Sequence, residues 1–177
     1  VYKRIYKFIE KKQNSNFLRL TGDNPLIDPK IINRFVSFFH QNKCDYLSSR
    51  SMDRANYWNA KSDFPEGISL EMFQKKTFIS LKPEVNRKNM EFPTWNFFNR
   101  SKKNKKIKIK KFPIFQPYKN LSKKMRVTID IKKDLIFVKK IANKFNFKPG
   151  VNNIKNLLKS TSSIERKKVY INFYKRD

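Results

Sequence analysis

Apolar and polar positions alternate between helical and strand-like spacing along the first fifty residues. From Val1 to Lys12, the residues Val1, Ile5, Phe8, Ile9 and Lys12 fall near one helical face, flanked by Tyr2 and Tyr6. This predicts an amphipathic helix packed on a sheet. Phe17-Leu18-Arg19-Leu20 is a short apolar-rich run, and Thr21-Gly22-Asp23-Asn24 is turn chemistry. Ile31, Ile32, Phe35, Val36, Phe38 and Phe39 then recur at helical spacing, with Asp28 placed to cap the helix and Pro29 at its first position. Tyr46-Leu47-Ser48-Ser49 reads as a second strand, giving a β-α-β unit and hence a mostly parallel sheet.

Beyond Arg50 the text is polar and aperiodic to Asp63, as in a loop. Gly67 to Phe73 reads as a strand entered through Phe64-Pro65-Glu66-Gly67. The stretch from Leu81 to Arg100 is rich in aromatics (Phe92, Trp95, Phe97, Phe98) and suits a helix, core or dimer face. In Lys102 to Lys111, Ile107 and Ile109 alternate with lysines, the pattern of a half-buried strand with a charged outer face. Met125 to Ile129 is a further strand candidate ending at Asp130. It feeds a helix from Lys132 to Lys144 with Leu135, Val138, Ile141, Ala142 and Phe145 inward. Gly150 to Ser160 reads as a short helix, and the tail to Asp177 as a terminal strand or loosely attached segment. Neither a repeat nor a Gly/Ser or Pro-rich linker divides the chain, so residues 1–177 are expected to form one domain.

Charge alters this picture less than its size suggests. Lys+Arg 42 against Asp+Glu 14 gives a net +28, the balance of a polyanion-binding module. Yet Lys, Asn, Ile, Phe and Tyr are all abundant while Gly falls to 3, a slant also expected of an AT-rich coding sequence. The lone Cys44 forms no internal disulfide, and no apolar run reaches the length of a membrane span. With no signal-peptide pattern either, the expected setting is reducing and cytoplasmic.

Candidate chemistry centres on the turn after the first strand. Asp23 would stand at a strand's carboxyl end, where open α/β sheets collect ligands and a carboxylate can hold a metal riding on a phosphate. Gly22 would let the backbone turn sharply and present the acid. Asp130 is a second such acid. Each also reads as a turn former or helix cap. Arg19 and Arg126 are cations that either face the same region or point outward from their strands, with Thr21 and Thr128 as nearby hydroxyls. Glu71 reads either as a ligand-side acid or as a surface acid on an edge strand. His40 reads as a packing or surface residue, and one His with one Cys supports no zinc cluster or triad.

Three blocks in order carry a family resemblance: Arg19-Leu20-Thr21-Gly22-Asp23-Asn24-Pro25-Leu26-Ile27-Asp28 with its following helix and Cys44-Asp45-Tyr46-Leu47-Ser48-Ser49; Phe64-Pro65-Glu66-Gly67-Ile68-Ser69-Leu70-Glu71-Met72-Phe73; and Met125-Arg126-Val127-Thr128-Ile129-Asp130 ahead of a helix containing Asp134. Over residues 1–145 the chain resembles the sugar-acid cytidylyltransferases, in particular the spore-coat-polysaccharide type related to acylneuraminate and Kdo cytidylyltransferases, with 146–177 as an extension. The resemblance implies an α/β fold of the nucleotide-diphospho-sugar transferase type. That fold is a three-layer, Rossmann-like, mostly parallel sheet, incomplete here at its amino terminus. It implies Mg²⁺-dependent transfer of CMP from CTP to a sugar or sugar acid with release of pyrophosphate, and a possible homodimer. Asp23 and Asp130 would be catalytic and share the Mg²⁺. Arg19, Thr21 and Gly22 would lie on the nucleotide side, and Gly67, Glu71 and Arg126 on the sugar side. The family's first strand and its Gly/Ser/Arg/Lys nucleotide loop are not among these residues, so this chain alone is expected to have little activity. Ser69 stands where the branch usually has Asp, and Arg87-Lys88-Asn89 where an Arg-Glu-His run is common. The competing expectations are a nucleic-acid or polyanion-binding module acting through charge, and an inactive truncated relic.

Overall fold

The computed structural model describes residues 1–50, 64–65, 67–82, 93–116, 118–120, 127–144 and 146. Several expectations lie outside them: the loop from 51 to Asp63, the roles of Phe92 and Arg126, the Arg87-Lys88-Asn89 run, the inward Phe145, the helix from Gly150 and the terminal segment. The described residues fall into two compact units interleaved in sequence. Residues 1–20, 34–50, 70–82 and 93–113 belong to the first, and 21–33, 64–69 and those from 114 onward to the second.

The first unit is built on four strands: β1 (Asn16–Arg19), β2 (Tyr46–Ser48), β3 (Glu71–Gln74) and β4 (Ile109–Lys111). Their order is β1-β3-β2-β4. The β2–β4 pair is parallel, while β3 is antiparallel to both β1 and β2. Thus β1, β2 and β4 share one direction, as a β-α-β connection requires, but β1 and β2 are not neighbours. The expectation of a mostly parallel sheet holds for strand direction and not for pairing, because β3 is inserted in reverse between the first two strands. Side chains explain the insertion. Phe73 pairs with both Phe17 and Tyr46 across its two neighbours, so its ring fills the centre of one sheet face.

That face is covered by helices α1 (Tyr2–Glu10), α3 (Lys75–Ser80) and α4 (Pro93–Lys103), α2 being Pro29–Gln41. Tyr2, Ile9, Tyr46, Phe73, Phe78, Leu81 and Phe97 form the core, rimmed by Ile5, Tyr6, Phe17 and Ile109. Rings dominate it. Tyr2 stacks on Phe78 at 4.7 Å, Phe78 on Phe73 at 4.6 Å, and Tyr46 on Phe97 at 4.2 Å. The inward stripe of α1 is therefore Tyr2, Ile5, Tyr6 and Ile9, not the face centred on Phe8, which is exposed beneath Lys12. Spacing of three and four residues selects both stripes equally, and the larger aromatic area of the tyrosines decides between them. At the end of α1, Lys75 Nζ bonds the carbonyls of Glu10 and Lys12, a cation meeting orphan acceptors.

Helix α2 begins as its sequence predicts. Asp28 Oδ1 accepts the Lys30 N–H at 2.8 Å, and Pro29 opens the helix without needing a donor. Its end is less conventional. The Lys43 N–H bonds the His40 carbonyl at 3.1 Å and the Cys44 N–H bonds that of Phe39 at 3.3 Å, closing the loop in which glycine usually occupies the left-handed position. Here Lys43 occupies it, at φ 47°. Cys44 follows, fully buried, and burial pushes its thiol pKa up, so the residue serves packing rather than redox chemistry.

The basic run divides differently from its predicted strand. Helix α4 continues to Lys103, and β4 begins only at Ile109. The expected alternation survives, with Ile107 and Ile109 half-buried between exposed Lys106, Lys108 and Lys110. Asp45 secures the join. Its Oδ2 accepts the Lys108 N–H at 2.8 Å and its Oδ1 the Thr77 hydroxyl at 3.0 Å.

In the second unit, Phe64, Phe115 and Tyr118 pack ring against ring, and the Tyr118 hydroxyl donates to Asp28 Oδ2 at 2.8 Å. Helix α5 (Lys132–Lys144) has the expected bounds but a shifted inward stripe of Asp134, Val138, Ile141 and Ala142. Leu135 is exposed because Asp134 takes the inward position to bond the helix start. Val127 to Ile129 are not a strand, so Asp130 stands at a bend before α5 rather than at a strand end.

Replacing Lys43 by glycine should remove the left-handed penalty and raise stability by up to about 1 kcal/mol, read as a higher urea midpoint at unchanged slope. A second outcome concerns pH. Burial, with a smaller push from Tyr6, drives the Tyr2 phenol from 10.0 up to about 12. A raised pKa favours the protonated folded state, so this contribution is complete below pH 10 and is lost as pH rises toward 12. Denaturant titrations across that window should show a steeper fall for the native chain than for Tyr2→Phe.

Candidate functional site

In the first unit, Arg19, Ser48 and Lys111 are the last residues of β1, β2 and β4, whose carboxyl ends lie at one edge of the sheet. The register pairs Arg19 with Glu71, Glu71 with Ser48, and Ser48 with Lys111. A polar row therefore crosses one sheet face at that edge, beside the apolar row Phe17-Phe73-Tyr46-Ile109. Carboxyl ends of like-directed strands are where α/β sheets present ligand-binding groups.

Glu71 is the buried member of the row, at 5% exposure. It lies in a strand with neighbours on both sides, which corrects the reading of a surface acid on an edge strand. A buried carboxylate is costly unless its oxygens are bonded. Here Arg19 Nη1 meets Oε2, and the Tyr46 hydroxyl donates to Oε1 at 2.8 Å. The Arg19 side chain keeps a quarter of its surface exposed (25%). One step beyond the row, Ser49 exchanges bonds with Leu70: its N–H donates to the Leu70 carbonyl at 3.0 Å, and its hydroxyl accepts the Leu70 N–H at 2.8 Å. Sequence reasoning missed Tyr46 as the second holder of Glu71. The spacing of Tyr46 and Ser48 by two in a strand was the available signal for their common face.

The second unit gathers the other named residues. Thr21 to Asn24 form a turn closed by the Asn24 N–H on the Thr21 carbonyl at 3.0 Å. The Asp23 carbonyl accepts the Ile129 N–H at 2.8 Å, which brings the backbone of Asp23 beside that of Asp130. Both acids are exposed. Asp134, which sequence reasoning placed in the helix without a role, accepts the Asp130 and Ile131 N–H groups on Oδ2 at 2.9 and 3.1 Å. An acid at the third helical position was its signal.

Gly67 fixes the same region. Its φ is +93°, and a Cβ there would fall 2.5 Å from Thr128 N, 2.5 Å from Val127 C and 2.8 Å from Val127 Cγ2. The backbone of the second sequence block thus lies directly on that of the third. Gly22 differs from expectation: its φ is not in the left-handed region, and an added Cβ would meet nothing within 4 Å. The turn is made by backbone bonding and does not require glycine. Thr128 is buried and Thr21 half-buried. Among the described residues no group of three or more His, Cys, Asp or Glu side chains forms a metal cage. A substrate-borne Mg²⁺ needs only one or two carboxylates besides phosphate oxygens and waters, and the exposed Asp23 and Asp130 are donors of that type.

No protein-family model matches the chain, and no curated protein matches it. Among solved structures, a cytidylyltransferase from Leptospira borgpetersenii serovar Hardjo-bovis (strain JB197) superposes with a TM-score of 0.68 and 24% sequence identity. The likeness covers 90% of this chain and 62% of that one, so this chain spans less than two thirds of its neighbour's length. At that identity the likeness establishes a shared α/β fold.

The two glycines should respond oppositely to alanine. Gly67→Ala drives a methyl into backbone at a positive φ and should cost about 3 kcal/mol or more. Gly22→Ala should be neutral or stabilising by up to about 1 kcal/mol. Equal midpoints for the two variants in urea melts would contradict the assignment.

Proposed function

We propose that this chain is part of a cytidylyltransferase that moves CMP from CTP to a sugar or sugar acid and releases pyrophosphate, within surface-polysaccharide biosynthesis. The observation that carries the reading is the Asp23–Ile129 backbone bond, which unites two exposed acids from distant blocks in a chain with a cytidylyltransferase fold neighbour. The finer fold assignment, a three-layer Rossmann-like sheet, belongs to the same proposal. So do a cytoplasmic setting, where CTP is available, and a homodimeric state.

In this mechanism an acceptor oxygen attacks the α-phosphorus of CTP in line, the bond to pyrophosphate breaks, and the acceptor's proton passes to solvent. Asp23 and Asp130 would hold Mg²⁺, which supplies neutralisation of the charge on the α-phosphoryl group and the departing pyrophosphate. The chain's own contribution is placement. The Asp23 carbonyl anchors Ile129, Asp134 fixes the amides of Asp130 and Ile131, and Gly67 admits Val127 and Thr128 at van der Waals limits. Arg19, at the carboxyl end of β1, is assigned to substrate phosphate or carboxylate, and Thr21 and Gly22 to the nucleotide side. Arg126 is assigned to the acceptor side with Gly67.

Because the family's Gly/Ser/Arg/Lys nucleotide loop is not among these residues, turnover by this chain is expected to be slow and binding is the primary readout. Titration with CTP should show Mg²⁺-dependent binding, and pyrophosphate release should be tested over a panel of sugars and sugar acids. Asp23→Asn and Asp130→Asn should each lower the Mg²⁺-dependent signal by about a hundredfold, the scale on which one electrostatic stabiliser acts. Undiminished binding and release in both variants would remove the assigned roles. Retention of polyanions without Mg²⁺ or nucleotide preference, falling steeply with salt, would instead favour a basic binding module built on the exposed lysines from Lys102 to Lys111.

A further inference from the structure

We infer that Glu71 is a positioning residue rather than a substrate contact, and that the group it positions, Arg19, is the anchor of an oxyanion site at the carboxyl end of the sheet. The inference rests on the cytidylyltransferase reading only for the source of the anion.

Three observations carry it. First, both oxygens of Glu71 are engaged within the sheet, one by Arg19 and one by the Tyr46 hydroxyl, and the residue is buried. At 5% exposure little of the carboxylate is open to a substrate hydroxyl. Second, the partners come from the two strands that flank β3, and Tyr46 is itself fixed by stacking on Phe97 at 4.2 Å. The carboxylate is thus held from a rigid side, and it restrains a flexible cation that would otherwise lose several rotors on binding a ligand. Third, Arg19 keeps partial exposure at the edge where the exposed Lys111 ends β4, so that edge carries two cations, while Ser48 between them is buried with its hydroxyl accepting the Arg50 N–H at 3.0 Å. A guanidinium oriented in advance by one carboxylate suits planar recognition of a second oxyanion. Phosphate of a nucleotide and carboxylate of a sugar acid share that chemistry.

Glu71→Gln tests the arrangement with little change of shape. The amide oxygen can still accept from Tyr46, but the amide nitrogen meets Arg19 donor to donor, so the guanidinium is released. Arg19→Lys is the companion variant, leaving Tyr46 and Glu71 in place while removing the fork. The readout is modification of Arg19 by phenylglyoxal, followed by mass spectrometry, in the presence and absence of pyrophosphate, CTP or a 2-keto sugar acid. Near-UV dichroism checks the fold. In the native chain one of these anions should protect Arg19, and the one that does so identifies the source. In Glu71→Gln the unprotected rate should rise and the protecting anion should bind about tenfold more weakly, the scale of one charge-assisted bond. Arg19→Lys, which lacks the phenylglyoxal target and is read by titration calorimetry with the same anion, should weaken it by a similar factor. Where turnover is measurable, Glu71→Gln should raise KM for that substrate more than it lowers kcat.

Failure of any anion to protect Arg19 overturns the site. Unchanged reactivity and affinity in a folded Glu71→Gln overturns the positioning role, as does unchanged affinity in Arg19→Lys should Glu71→Gln not fold. Protection by pyrophosphate with no Mg²⁺-dependent binding of CTP would leave this inference standing and remove the proposed reaction. CMP transfer with kinetics indifferent to both variants would do the reverse.

Discussion

A carboxylate placed in an inner strand of a sheet must be met by donors from its neighbours, and in this protein that demand organises the first unit. Glu71 draws Arg19 from β1 and Tyr46 from β2, so the reverse strand between them is bonded through its side chain as well as its backbone. Removing either donor would leave a buried charge short of a partner. The same row carries the polar groups that end the three like-directed strands. The interaction that ties the reversed strand to both of its neighbours is therefore also the one that arranges the polar row at the carboxyl ends.

The second unit depends on a different constraint, the close approach of two backbones. Gly67 lies on Val127 and Thr128 with no room for a side chain, and the Asp23 carbonyl takes the next amide along, that of Ile129. Three stretches far apart in sequence are thereby fixed by main-chain atoms, which are less adaptable than side chains. The acids they carry remain open to solvent and so available to a hydrated cation.

What was legible in the sequence was local. Asp28 and Pro29 announced the start of α2, and the periodicity ahead of Lys144 gave the bounds of α5, because capping and helical spacing depend on residues a few positions apart. What failed depended on distant partners. The Val127–Ile129 run has strand-like composition, yet Gly67 occupies the space beside it and it pairs as a coil. Alternation alone could not show that β3 would enter between β1 and β2, nor that Glu71 would consequently be buried. In the candidate site, the turn holding Asp23 could be read from its residues, but its meeting with the segment before Asp130 rests on one nonlocal bond. Phe8 and Leu135 were misplaced for a smaller reason: helical spacing admits adjacent stripes, and here aromatic area in one case and a capping acid in the other made the choice.

The chain holds only three glycines, and the described pair are used unequally. Gly67 sits where any other residue would collide, while Gly22 occupies ordinary backbone and a lysine stands in the left-handed loop after α2. Conformational freedom is thus misallocated by one position: the unfolded ensemble is widened at Gly22 without any matching need in the folded turn, and torsional strain is kept at Lys43. Exchanging the two assignments would relax the native backbone at Lys43 while leaving the glycine content of the unfolded chain as it is, without touching a single packed side chain.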